Sequence, residues 1–281
     1  MQKTAVAYSG AFDTSISSLF TAQEKSLASR TILHHHRLLS AIFQQAVYDE
    51  VIETNPCART KPPRVEQYEA RYLDEKQAEE LLTLVFEKAE HPFDVIIPLI
   101  LHTGIRRGEA CGLEWDDIDF EREIISINRA SLYLPDKGVF SDETKTYSSK
   151  RVIKVGNDII NLLKDFKVWQ DNEAEKLGDQ WINSNRLFTA WNGAPINPCT
   201  VTAWFHHFVN QNNLPECSIH SLRHTNASLL IFSGVPITTT SKRLGHSTTA
   251  TTTKIYAHAI ASADETAASV IQSILPIKAK K

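Results

Sequence analysis

The sequence predicts a mainly helical chain carrying one small antiparallel β-sheet, an α+β fold class. Three observations predict it. Apolar residues recur at three- and four-residue steps along most of the chain; two short segments alternate apolar and polar residues; and a proline-bearing polar stretch divides an amino-terminal helical region from the remainder. Before Thr31 the chain is rich in Ser, Thr and Ala and has little period, which reads as a loosely organised lead. From Thr31 to Ile52, residues Ile32, Leu38, Leu39, Ile42, Phe43, Ala46 and Val47 line one side of a helix. Asn55-Pro56 stops it, and the run to Tyr72 holds Pro62, Pro63 and alternating charges, as a connector does. Residues 1–55, 56–72 and 73–281 therefore read as a helical region, a linker and the main domain.

Asp74 opens a second helical pattern (Ala78, Leu81, Leu82, Val85), and Phe93 to His102 is apolar enough for a buried helix. Ile124 to Leu132 and Arg151 to Val155 alternate like strands and flank a polar, lysine-bearing segment, which predicts a small antiparallel sheet with a long hairpin. Further helices are expected at about 157–177, 198–212, 219–233 and 263–274. No internal repeat is visible, which excludes a solenoid.

Composition narrows the function only a little. The 281 residues are 42% hydrophobic and 22% charged, ordinary for a globular chain. No apolar run is long enough to span a bilayer, and the amino end lacks a basic segment followed by an apolar one, so a cytoplasmic protein without membrane association is expected. Cys57, Cys111, Cys199 and Cys217 lie far apart without metal-ligand spacing and read as reduced thiols. The net charge of -3 is not that of a generic nucleic-acid binder, although 30 Lys and Arg can still gather on one face.

Four separated segments carry chemistry. Thr103-Gly104-Ile105-Arg106-Arg107-Gly108-Glu109 places a glycine turn after an apolar helix, from which Arg106 can project; it is followed by Leu113-Glu114-Trp115-Asp116-Asp117-Ile118. His220-Ser221-Leu222-Arg223-His224 puts His220 and Arg223 three apart on one helix face. Leu244-Gly245-His246-Ser247 and Thr253-Lys254-Ile255-Tyr256-Ala257-His258 complete the set. Each alone has a bland explanation: an arginine in a turn is ordinarily a salt-bridge residue, a His–Arg pair a surface accident, and a tyrosine between apolar residues part of a core.

Their order and spacing closely resemble the two signature boxes of the tyrosine recombinases, the integrase family of phages and conjugative transposons, including the Leu-x-Trp-x-Asp-Ile pattern at Leu113 to Ile118. The resemblance runs from about Thr31 to Ala259 and takes in the Asn55-Pro56 that closes the family's core-binding domain. It implies a tyrosine recombinase catalytic domain over 73–281, preceded by only part of a helical core-binding domain. The family's hairpin motif Lys-Thr-x-x-Ser-x-Arg matches Lys145-Thr146-Tyr147-Ser148-Ser149-Lys150-Arg151. All six family positions, Arg106, Lys145, His220, Arg223, His246 and Tyr256, hold competent residues.

These residue types suit phosphodiester exchange. Negative charge builds on the non-bridging oxygens, and two guanidiniums, Arg106 and Arg223, offer forked donors for it. The phenol of Tyr256, with an ordinary pKa of about 10, needs a base, which His220 supplies. By resemblance, Lys145 protonates the departing 5′-oxygen and His246 hydrogen-bonds the scissile phosphate. The product is a 3′-phosphotyrosine that a free 5′-hydroxyl can reverse, so neither cofactor nor metal is expected. The resemblance implies integration or excision of a mobile element, double-stranded DNA as partner, and room for accessory DNA-bending or excision factors. Two other readings share these residues: a DNA-binding regulator that has lost catalysis, and a type IB topoisomerase.

The remaining features read plainly. His34-His35-His36 point about 100 degrees apart on a helix and cannot share one ion well. His206-His207 belong to a helix surface, His224 and His258 read as structural, and the Lys278-Ala279-Lys280-Lys281 tail as solvated. After Tyr256, Ser262 to Glu265 starts a helix whose Ala267, Val270, Ile271 and Ile274 share a face. That face packs on its own domain or, as the resemblance implies, docks in trans in a homo-oligomer of up to four chains on DNA.

Overall fold

Helix α1 (Ser29–Tyr48) buries none of its residues, and its apolar Leu38 and Ile42 are exposed. It ends at Tyr48 rather than Ile52 because the chain folds back. Asn55 donates from Nδ2 to the Ser40 carbonyl at 3.0 Å and accepts the Cys57 N–H at 3.0 Å, which caps a short 3-10 turn, Pro56–Arg59. The computed structural model describes residues 27–65, 71–143, 150–246, 248–249, 252–253 and 271–275. Its chain divides into two units, Met1–Tyr68 and Glu69–Lys281, and α1 lies in the first.

The second unit is built around helix α3 (Phe93–Thr103), whose Val95, Ile96, Ile97, Leu99 and Ile100 are all wholly buried. A helix this apolar on every side is stable only with neighbours all round it. It finds them in α2 (Glu75–Lys88), α5 (Asn157–Leu177) and α7 (Ile219–Phe232). The sequence places α2 correctly from Asp74, whose carboxylate accepts the Gln77 N–H at 2.9 Å while Gln77 Oε1 accepts the Asp74 N–H, a reciprocal cap. Helix α4 (Arg107–Gly112) follows α3, α6 (Pro198–Gln211) follows α5, and α8 (Ile237–Leu244) follows α7. Phe166, Phe188 and Phe205 fill the core shared by these helices and the sheet.

Strands β1 (Ile118–Asp119), β2 (Ile124–Ile127) and β5 (Arg151–Lys154) form an antiparallel sheet in the order β1-β2-β5, with Ile125 opposite both Ile118 and Ile153. A separate hairpin pairs β3 (Arg129–Leu134) with β4 (Gly138–Glu143). The alternation over Ile124 to Leu132 thus belongs to two strands in different sheets. Asn128 Nδ2 donates to Asp117 at 2.8 Å and Arg129 Nη1 donates to it at 2.5 Å. Their pull on this buried carboxylate turns the chain out of the first sheet.

The same carboxylate organises the Leu-x-Trp-x-Asp-Ile motif. Asp117 gathers Asn128, Arg129 and the Glu114 N–H, and Trp115 Nε1 donates to the buried Gln170 of α5 at 2.7 Å. The motif rivets the start of the sheet to the helical core. No described helix is long and apolar enough to cross a membrane. Of the expected carboxy-terminal helix, 271–274 are helical with Ile271 and Ile274 exposed; 263–270 lie outside the described residues.

Candidate active site

Helix α3 ends at Gly104, whose φ of 68° is left-handed and whose N–H bonds the Ile100 carbonyl at 2.8 Å. A Cβ there would stand 2.7 Å from both Asn226 Oδ1 and Leu244 Cδ2, so only glycine fits the bend. The bend delivers Arg106 to the start of α4. Glu109, one turn on and 2% exposed, accepts the Arg106 N–H and Nη1–H at 2.8 Å each. Arg106 Nη2 reaches the Gly245 carbonyl at 3.3 Å, and its side chain stays 42% exposed.

Helix α7 starts at Ser218, which caps it by accepting the Ser221 N–H at 3.2 Å. One turn in, the guanidinium of Arg223, 2% exposed, donates to the Gly104 carbonyl at 2.6 Å and the Leu244 carbonyl at 2.7 Å. Asn226 Nδ2, a turn further on, binds the carbonyls of Leu101 (2.9 Å) and His102 (3.1 Å). These bonds between charged or amide donors and buried carbonyls join the end of α3 to the end of α8.

Helix α8 ends like α3, on a left-handed glycine: Gly245 has φ 70°, and a Cβ on it would meet Arg151 Nη1 at 2.8 Å. The turn presents His246, whose Nδ1 is 2.7 Å from Oγ1 of the buried Thr252. Arg151, at the start of β5 and 7% exposed, grips Glu109 through both Nη atoms (3.1 and 2.8 Å) and the Arg243 carbonyl through Nε (2.7 Å). Arg243 in turn donates to the carbonyls of Lys154 (2.9 Å) and His102 (3.1 Å).

A glycine-bent arginine, a His–Arg helix and a Gly-His turn thus meet in one place, and residues 71–262 match the model of the phage integrase family. The chain belongs to that family. A tyrosine recombinase XerC-like protein of Caldanaerobacter subterraneus is 29% identical over 251 residues, 84% of this chain and 64% of the relative. The ICEBs1 integrase of Bacillus subtilis is 25% identical over 235 residues, 84% of this chain and 63% of the relative. The chain therefore spans somewhat under two thirds of these curated relatives. Among solved structures, the Tn1549 transposon integrase in complex with a circular intermediate DNA is similar at a TM-score of 0.72 and 26% identity, covering 86% of this chain and 80% of that one. The mainly helical fold with its small antiparallel sheet matches this integrase structure.

Arginines dominate the electrostatics of the site. Arg106 and Arg151 both bond the buried Glu109 carboxylate, while Arg223 and Arg243 bond backbone carbonyls of the same segments. Burial alone would raise the Glu109 pKa, but the hydrogen bond and charge of Arg151, with those of Arg106, outweigh it and hold the carboxyl below its usual range. Desolvation and the nearby Arg223 and Arg106 lower His246 to about 4. His220 is lowered by desolvation, Arg223 and Arg106, and His224 to about 4 by desolvation, His220 and Arg223. The His220 and His224 rings stand edge to face at 4.6 Å.

The structure brings four of the six expected residues together: Arg106, His220, Arg223 and His246. Lys145 and Tyr256 lie outside the described residues. Sequence reasoning passed over Glu109, Arg151 and Arg243. Glu109 and Arg151 sat inside the quoted motifs, and a buried acid three residues after an N-cap arginine is a signal that could have been read. Nothing in the sequence marked Arg243. Among the described residues no group of histidine, cysteine or carboxylate side chains is arranged to hold a metal ion.

Proposed function

We propose that this chain carries the catalytic part of a tyrosine site-specific recombinase, an integrase that cuts and rejoins double-stranded DNA to integrate or excise a mobile element. The observation that carries the reading is the Arg223 guanidinium, which bonds the Gly104 and Leu244 carbonyls and so fuses two distant motif segments into one cationic site. On this reading the phenol oxygen of Tyr256 attacks the scissile phosphorus and its proton passes to His220. Held neutral below its ordinary pKa, His220 is free to accept it. The 5′-oxygen leaves with a proton from Lys145, giving a 3′-phosphotyrosine that another 5′-hydroxyl reverses. Arg106 offers its exposed fork to the non-bridging oxygens, and Arg223 supplies fixed charge from behind. On the same reading the Thr252 hydroxyl, 2.7 Å from Nδ1, donates to it, so that His246 carries its proton on Nε2 and donates it to the phosphate.

Residues 73–281 then form the catalytic domain, 56–72 the linker and 1–55 part of a core-binding region in a cytoplasmic protein. The segment 263–274 docks onto a second copy in an oligomer on DNA of up to four chains, with accessory DNA-bending or excision factors acting beside it. The test combines plasmid relaxation with a denaturing gel for covalent adducts. A recombinase forms adducts only on plasmids carrying its attachment site. Adducts and relaxation on any plasmid make it a topoisomerase, and binding without adducts makes it a regulator.

A further inference from the structure

The side chain of Arg106 is held by two groups, the Glu109 carboxylate and the Gly245 carbonyl, and both belong to residues that Arg151 also engages. Arg151 takes Glu109 with two nitrogens, one on each carboxylate oxygen. Arg106 has only Nη1 on Oε1, the other oxygen going to its own backbone N–H. The buried arginine thus occupies the forked face of the acid and leaves the exposed guanidinium only one point on it, the second being the Gly245 carbonyl. Arg151 also lies against Gly245, where the missing Cβ gives it room, while its Nε fixes the Arg243 carbonyl two residues earlier. We propose that Arg151 is a positioning residue for strand cleavage: by taking the fork of Glu109 and steadying the Arg243–Gly245 turn, it keeps the Arg106 guanidinium turned out toward the scissile phosphate. This rests on the recombinase reading above.

Physical chemistry says why an arginine is needed. A carboxylate with one forked partner gone turns to the other. Without Arg151, Glu109 draws Arg106 into a two-point pair, inward and away from substrate. Lysine keeps the charge but is a single point that cannot span both carboxylate oxygens and a backbone carbonyl.

The test is single-turnover cleavage of a nicked attachment-site substrate by the full chain, with DNA affinity measured alongside. R151M should bind DNA within about twofold of wild type and cleave roughly 10- to 100-fold slower, the scale on which small misplacements act. E109Q should also slow cleavage while leaving binding in place, and R151M/E109Q should be no slower than the slower single variant, since both changes act through one pair. Wild-type cleavage by R151M, a loss of affinity that accounts for its slower rate, or losses that multiply in the double variant would overturn the proposal. If R151M does not fold, R151K decides: slower cleavage with retained binding supports the fork, and a wild-type rate refutes it. Absence of an adduct with the wild-type chain would instead refute the recombinase reading.

Discussion

Arg106 and Arg223 bring the same guanidinium to the same site in opposite states. Arg223 is 2% exposed and bonds the backbone carbonyls of Gly104 and Leu244. The side chain of Arg106 is 42% exposed and is held from behind by Glu109 and Gly245. One arginine therefore mainly builds the site while the other mainly faces solvent, although both read alike as forked phosphate donors in the sequence.

The comparison breaks first at Arg223. Arg223→Ala strands two buried carbonyls, each worth about 1–3 kcal/mol when unsatisfied. Denaturant unfolding should show a loss of about 3 kcal/mol in stability, together with abolished cleavage. Arg106→Ala should do the reverse, lowering the cleavage rate about 100- to 1,000-fold while moving stability by about 1 kcal/mol or less. Equal destabilisation by the two variants would erase the distinction.

Much of this was legible. Asp74, the apolar run from Phe93 and the four motif residues Arg106, His220, Arg223 and His246 are local signals, of capping, period and spacing. What was hidden depends on distant partners. Helix α8 escaped notice because its Ile-Thr-Thr-Thr-Ser run has the composition of a loop and is helical only through tertiary packing, with Thr240, Ser241 and Leu244 buried. The division of Ile124 to Leu132 between two sheets turns on Asp117, which the motif displays without saying what it binds. Arg151 seemed only the last letter of a hairpin motif, yet its partners Glu109 and Arg243 lie far off in sequence.

Gly245→Ala sharpens the contrast from the turn that both arginines touch. A Cβ at φ 70° and 2.8 Å from Arg151 Nη1 should cost about 1–2 kcal/mol in thermal or denaturant unfolding, and slow cleavage by shifting the Gly245 carbonyl that Arg106 uses.

A smaller effect lies in pH. His224 and His246 protonate only near about 4 in the fold, against an ordinary 6.5. Between those values the unfolded chain binds more protons, so their contribution to stability rises with pH across the window and is lost as pH falls from 6.5 toward about 4. Thermal melts should show this slope, and His246→Gln should reduce it.

On the recombinase reading proposed above, the cationic site serves a tyrosine nucleophile. A nicked substrate that traps the cleaved state should give wild-type protein a covalent DNA adduct, resistant to denaturant, whose digested peptide contains Tyr256. Tyr256→Phe should bind the same DNA and yield no adduct. An adduct that persists in Tyr256→Phe, or maps to another residue, would contradict the account.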